Sequence, residues 1–260
     1  MPDPVPSPDW SDWAARWERM QSAHLHGREE RSAVLVDCCH ATGAAAPPRI
    51  LELGCGPGGI LSRLRRGHPQ ASLVGVDHDP LLLTIAAATH GGDDGVRLVD
   101  ADLRDPDWVA ALGPARFDAV VSSTALHWLE LDDLARVYQQ AHDLLRPGGI
   151  LANADHFAFE DAGLDRLARD ARVRDETAAQ AAGAGETWDV WWAAVAQLPA
   201  AAALLAERTR RFPPSDTHHG HHASLAWHRA TLVAAGFQAV TTAWRWYDNA
   251  VLFGRAAAPG

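Results

Sequence analysis

The segment RILELGCGPGG, Arg49 to Gly59, constrains the fold of this chain more than any other stretch. A short apolar run enters a glycine-rich turn, and GILSRLRR continues from it with helical spacing. Glycine at 54 and 56 lets the backbone turn tightly and approach a ligand with no Cβ in the way. The helix N-terminus beyond the turn presents free amide N–H groups to electron-rich atoms. The spacing Gly54-x-Gly56-x-x-Gly59 also satisfies the dinucleotide fingerprint, so the turn alone does not select a ligand.

The pattern then repeats. ASLVGVD (71–77), VRLVDADL (96–103), FDAVVSS (117–123) and GILANAD (149–155) read as strands. Helices are expected near Pro80 to Thr89, over DPDWVAAL, and over the amphipathic LDDLARVYQQAHDLL (131–145), which RPGG stops. Strands alternating with helices predict an α/β fold, a parallel sheet with helices on both faces. Before this core, Trp10, Trp13 and Trp17 recur at helical spacing, and GAAAPP (43–48) reads as a linker. After Phe159 the alternation stops and residues 160–212 are helix-rich, with WDVWW at 188–192. SLAWHRATLVAAGF reads as a helix with Ser224 as N-cap and Gly236 as its stop. AVTTAWRW and AVLFGR follow as a hairpin turning at YDN. The expected organisation is an N-terminal helical segment (1–48), a core (49–156), a helical lid insert (157–222), and a last helix with hairpin completing the core (223–260).

With 260 residues, 47% of them hydrophobic, the chain can bury one large core with an insert. Its net charge is −10 and all 23 basic residues are Arg, which opposes a general nucleic-acid binder. Cys38, Cys39 and Cys55 form an odd set with no evident disulfide pair. The first residues show no export signal, and no apolar run approaches the ~20 residues of a membrane span. The expectation is a soluble cytoplasmic protein with a small-molecule substrate and no nucleic-acid or membrane partner.

Asp77 closes the second strand and is placed to accept from both hydroxyls of a ribose, in either a nucleoside or a dinucleotide. Asp102, in DADL, can accept from an adenine amino group while the backbone at Leu103 reads the ring. In order along the chain, ILELGCGPGG (50–59), VGVDHDP (74–80), DADL (100–103), FDAVVSSTALHWL (117–129) and LLRPGGIL (144–151) resemble the class I S-adenosylmethionine (SAM)-dependent methyltransferases. The STALHWL stretch is similar to small-molecule enzymes such as trans-aconitate and malonyl-carrier methyltransferases. This resemblance implies a Rossmann-like, mostly parallel sheet of seven strands with an antiparallel strand in the C-terminal hairpin, and SAM as cofactor. It implies that Glu52, Gly54 and Gly56 cradle the amino-acid part of SAM. Asp77 would hold the ribose with His78 beside it, Asp102 and Leu103 would read adenine, and Ser122 would touch the methionine moiety by its backbone. Arg31 corresponds by distance to an arginine that meets the cofactor carboxylate in some relatives, with Arg28 as the alternative and a surface charge as the plain reading of either.

Methyl transfer from a sulfonium is an in-line displacement, so alignment does most of the work and the protein adds a base where the nucleophile is weak. His127 and His156 stand at or beyond carboxyl ends of strands, where open α/β sheets bind ligands. Either is a candidate base, or else a packed histidine. The third candidate is His222 in DTHHGHH (216–222), just before the helix from about Leu225, whose N-terminus is expected at the same sheet edge. That loop admits three readings: base, metal ligand, or solvated loop. Gly220 opposes a rigid ligand face, and no metal site is expected. Trp13, Trp17, Trp188, Trp191 and Trp192 read as core, or as walls of a substrate pocket. The expected function is methyl transfer to an O, N or C nucleophile of a small molecule. The alternatives are a SAM-binding protein that senses SAM or catalyses another reaction, and an NAD-dependent oxidoreductase, which DADL and the terminal hairpin oppose.

Overall fold

The computed structural model describes residues 8–43, 47–183, 185–212 and 223–258. Strands β1 (Arg49–Leu53), β2 (Ser72–Asp77), β3 (Val96–Asp100), β4 (Phe117–Ser123), β5 (Leu145–His156), β6 (Gln238–Trp246) and β7 (Asn249–Arg255) form one sheet in the order β3-β2-β1-β4-β5-β7-β6. β1 pairs in parallel with β2 and β4, as β4 does with β5, whereas β7 is antiparallel to both β5 and β6. Ile50, Leu51 and Leu53 of β1 and Ala119, Val120 and Val121 of β4 are fully buried, as strands covered on both faces require. The strand order reverses at β1, so the crevice beyond the carboxyl ends of β1 and β4 is the expected ligand position.

Helices α1 (Trp10–His24) and α2 (Arg28–Cys38) are separated at Gly27, whose left-handed φ of 60° ends one helix run and starts the other. α3 (Gly59–Gly67) and α4 (Pro80–His90) follow β1 and β2, and α5 (Leu131–Leu144) precedes β5. α4 begins where Asp79 accepts from the amides of Leu81 and Leu82, with Pro80 in the first turn. The expected helix over DPDWVAAL is only a 3-10 turn, Trp108–Leu112. β5 starts at Leu145, earlier than expected from sequence, because RPGG stays in the strand with a pairing irregularity between Phe117 and Ala119. α6 (Ala162–Ala181), α7 (Trp188–Ala196) and α8 (Ala202–Arg211) make the helix-rich stretch, and α9 (Leu225–Ala234) leads into the hairpin. Ser224 caps α9 by accepting from the Trp227 amide, and Gly236 follows the helix at φ 98°.

Apart from the clusters on the two sheet faces, a third apolar cluster joins α1, α4, α7 and α8 around Trp13, Trp17 and Trp191. Trp191 is fully buried, its ring centroid 4.9 Å from that of Trp17 and 5.7 Å from that of Trp13, both edge-on. Trp13, Trp17 and Trp191 are core and bind the N-terminal helix to the 188–205 region, whereas Trp188 is exposed and Trp192 half-buried. No single helix among the described residues is long and apolar enough to cross a membrane.

Candidate functional site

A cleft of about 660 Å³ opens at the carboxyl edge of the sheet, within the range of small-molecule sites. Its floor is the β1 turn. Gly54 and Gly56 take left-handed φ values of 69° and 51°. A Cβ on Gly54 would lie 2.2 Å from Ala125 Cβ, so the turns after β1 and β4 touch there and only glycine fits. A Cβ on Gly56 would meet nothing nearer than Leu82 Cδ1 at 4.0 Å, and its amide donates to Asp77 Oδ2 at 2.7 Å. Asp77 also accepts from the amides of His78 (2.7 Å) and Asp79 (2.9 Å). Burial pushes the Asp77 carboxyl up, against those three N–H groups.

Glu52, one residue before the end of β1, is 1% exposed, and its Oε2 has no hydrogen-bond partner. Burial, then Asp77 and Glu18, hold its carboxyl well above the usual range. A buried carboxyl with one oxygen unpartnered at a cleft floor is a seat for a cationic group. Helix α1 closes this end. Glu18 accepts from Arg28 Nη1 and Nη2, both at 2.8 Å, and from Arg63 Nη1 at 2.7 Å. Burial pushes the Glu18 carboxyl up, but the two guanidinium groups win and lower it. Arg28 lines the cleft. Arg31 is not among the lining residues: it is 1% exposed and donates to Asn249 Oδ1 (2.8 Å) and Ser123 Oγ (3.2 Å), tying α2 to the sheet. The alternative read from sequence, Arg28, is the one facing the cleft.

At the far end, Asp102 and Leu103 line the cleft beyond β3, which ends at Asp100. Asp102 is held by Arg104, whose Nε lies 3.0 Å from both carboxylate oxygens and Nη2 2.8 Å from one. Burial raises the Asp102 carboxyl, and Arg104 more than offsets this. His78 also lines the cleft, its Nδ1 3.2 Å from Asp100 Oδ1. The end of α8 covers this region: Arg211 donates to both Asp100 oxygens at 2.8 Å, and Arg208 Nε reaches Asp79 Oδ2 at 2.5 Å. Ser122 is not a lining residue. It is 2% exposed and its Oγ donates to Leu53 O at 2.8 Å; the next residues, Ser123 and Thr124, face the cleft instead. Thr124 has a left-handed φ of 50°, a strained conformation for a β-branched residue that turns the chain back over the β1 loop.

The structure brings His127 and His156 to the same cleft. His127 lies in a 3-10 turn after β4, and its Nδ1 is 2.7 Å from Asp155 Oδ1. Burial lowers the His127 pKa, but Asp155 prevails through charge and hydrogen bond, and the net shift is upward. Asp155 is 2% exposed and held below the usual carboxylate range: burial opposes ionisation, while His127, then His156, outweigh it. His156 ends β5, its Nδ1 3.2 Å from Asp248 Oδ2, and burial drives its pKa down to about 4. Asp248 also accepts from Arg172 of α6, so the helical cover, the hairpin turn and His156 share one carboxylate. His222 and the rest of DTHHGHH lie outside the described residues. The helix following them does start at the cleft edge: Ala158, two residues past His156, bridges to Ser224, and its amide donates to Ala223 O at 3.1 Å. Among the described residues, no group of three or more His, Cys, Asp or Glu side chains could hold a metal ion.

Sequence reasoning did not anticipate Glu18, Arg104, Arg208, Phe212 or Asp248. Glu18, Arg208, Phe212 and Asp248 reach the site from elements placed by long-range packing, whereas Arg104 stands two residues after Asp102.

The strand order, the glycine turn, the acidic end of β2 and the buried Glu52 come together at one edge of the sheet. Residues 50–149 match the family model described as a methyltransferase domain. Trans-aconitate 2-methyltransferase of Escherichia coli is 31% identical over 142 residues, covering 55% of this chain and 50% of that protein. The Streptomyces avermitilis protein of the same name is 34% identical over 140 residues, covering 51% and 49%. The chain thus spans about half the length of the curated relatives it matches. An O-methyltransferase family protein from Burkholderia thailandensis shares the fold with a TM-score of 0.57 at 18% identity, covering 97% of this chain and 70% of that one. Human N-acetylserotonin methyltransferase in complex with SAM does so with 0.53 at 12%, covering 98% and 61%. One of these neighbours holds SAM, and the residues present here fit that group. The unpartnered Glu52 suits its ammonium group, the Gly54–Gly56 cradle admits its close approach, and Asp77 suits its ribose.

Proposed function

We propose that this protein transfers a methyl group from SAM to a nucleophilic atom of a small molecule, with His127 as the base. One observation carries the reading: the glycine turn with Glu52 and Asp77, and the carboxylate-held His127, line a single cleft. When bound, SAM supplies a methyl group on a sulfonium, an already activated leaving group. The chain's own residues bind, align and move a proton. With Nδ1 engaged by Asp155, Nε2 of His127 is the nitrogen that receives the acceptor's proton, and Asp155 stabilises the imidazolium so formed. His156, with its pKa near 4, stays neutral at physiological pH and serves to orient the acceptor. Helices α6 to α8 act as a cover that excludes water. The free Cys38, Cys39 and Cys55 support a reducing, cytoplasmic setting.

A thermal-shift measurement tests the cofactor. SAM and its demethylated product should each raise the melting temperature, and Asp77→Ala should abolish the rise. Stabilisation by NAD and none by SAM would refute the reading. His127→Ala should lower kcat by about 10²- to 10⁴-fold. Because the neutral form of His127 is the base and its pKa is raised, the wild-type rate should climb with pH through a midpoint above the ordinary histidine value, and this limb should vanish in the variant.

A further inference from the structure

The curated relatives are named for trans-aconitate, a tricarboxylate. Recognising such an acceptor calls for guanidinium groups aimed at carboxylates. Among the described residues the cleft presents three arginines, and each is already engaged. Arg28 forks onto Glu18, Arg104 clasps Asp102, and Arg208 reaches Asp79. Diverting Arg208 to an acceptor would leave Asp79, which is 4% exposed, without its guanidinium partner and held only by the Leu81 and Leu82 amides. Glu18, Asp77, Asp79 and Asp102 line the same cleft and offset those three arginines, so it offers a polyanion no net positive charge.

What the cleft offers an acceptor is aromatic area. Trp128 is 52% exposed and Trp188 is 41% exposed, yet both line this concave site, with Trp17, Trp192 and Phe212 beside them. Apolar rings left open to water inside a cleft gain by being covered, and a flat ring covers them best. The Trp128 ring centroid stands 5.0 Å from that of His127. A planar ring laid on Trp128 therefore brings a substituent hydroxyl next to the base.

We infer that the acceptor is an uncharged aromatic molecule bearing a hydroxyl group, a phenol, and not a polycarboxylate; this rests on the methyltransferase reading above. The phenolic oxygen forms the new bond to the methyl carbon as the carbon–sulfur bond breaks. The electron pair of that bond stays on sulfur, and the hydroxyl proton passes to His127 Nε2. A phenol of pKa about 10 is within the reach of a histidine base.

Calorimetry separates this inference from its foundation. S-adenosylhomocysteine is titrated first into the wild-type protein; failure to bind would strike the methyltransferase reading itself. With that product bound, 2-naphthol and trans-aconitate are titrated in parallel. The expected result is a Kd for 2-naphthol at least tenfold below that for trans-aconitate. Trp128→Ala should weaken 2-naphthol about tenfold, while Trp128→Phe, which keeps a ring, retains most of the affinity. Incubation with methyl-labelled SAM should then place label on the naphthol oxygen. Binding of trans-aconitate as tight as that of 2-naphthol would overturn the inference. So would 2-naphthol affinity unchanged in Trp128→Ala.

Discussion

Strands β1, β4 and β5 bury nearly every side chain, whereas in the helical cover α6 buries only Ala168 and Ala171, and α8 buries none. Both regions wall the cleft. The sheet side is built from backbone: paired strands, left-handed glycines, and amides donating to Asp77. The cover is held by the tryptophan cluster around Trp191 and by ion pairs that cross to the core, among them Arg16–Glu186, Arg208–Asp79, Arg211–Asp100 and Arg172–Asp248. Partly exposed pairs add little each, so the cover's stability is concentrated in one apolar cluster. A densely packed floor under a more loosely held cover suits the proposed transfer between two bound molecules.

The strongest way to break this contrast is Trp191→Ala. Emptying a fully buried tryptophan site should cost about 3–5 kcal/mol. The loss should show as faster hydrogen exchange in α1, α7 and α8 with β1, β4 and β5 still protected; equal acceleration in the sheet would mean the two regions unfold as one. Gly54→Ala tests the other side. A methyl group 2.2 Å from Ala125 Cβ, on a residue with φ of 69°, should cost about 2–4 kcal/mol and remove S-adenosylhomocysteine binding by calorimetry. A variant that kept the cofactor affinity would show that the floor is not rigid.

Asp248→Asn probes the one carboxylate shared between cover and core. It should lower kcat about tenfold with a smaller change in KM, because His156 loses a charged neighbour and Arg172 its anchor. A change in KM alone would leave Asp248 as a tether for the cover only. The smallest effect is expected for Arg211→Ala, at the exposed rim of α8: under about 1 kcal/mol, shrinking further when salt is raised.

The strands were legible because buried apolar runs between turn signals are a local pattern, and so were the α9 cap at Ser224 and the hairpin at Tyr247–Asp248. Helices α6, α7 and α8 were legible as a helix-rich stretch. Less legible was register. Ser122 and Ser123 are adjacent on β4, and alternation sends one side chain into the sheet's interior and the next to the cleft. Arg31 and Arg28 differ by less than one helical turn, yet one is sealed against Asn249 and the other faces the cleft.

Short-range chemistry in the sequence by itself determined the glycine turn, the acidic end of β2, the alternation that makes a parallel sheet, and the presence of His127 and His156 near strand ends. Those features depend on a few consecutive residues and on periodicities of two and 3.6. Only the tertiary structure decided that Asp155 holds His127 and that Glu18 of α1 closes on Arg28. The same holds for Arg172, which meets His156 through Asp248. These pairs join residues far apart in the chain. Their meeting depends on how helices pack over the sheet edge, a balance of burial and charge that no local pattern encodes.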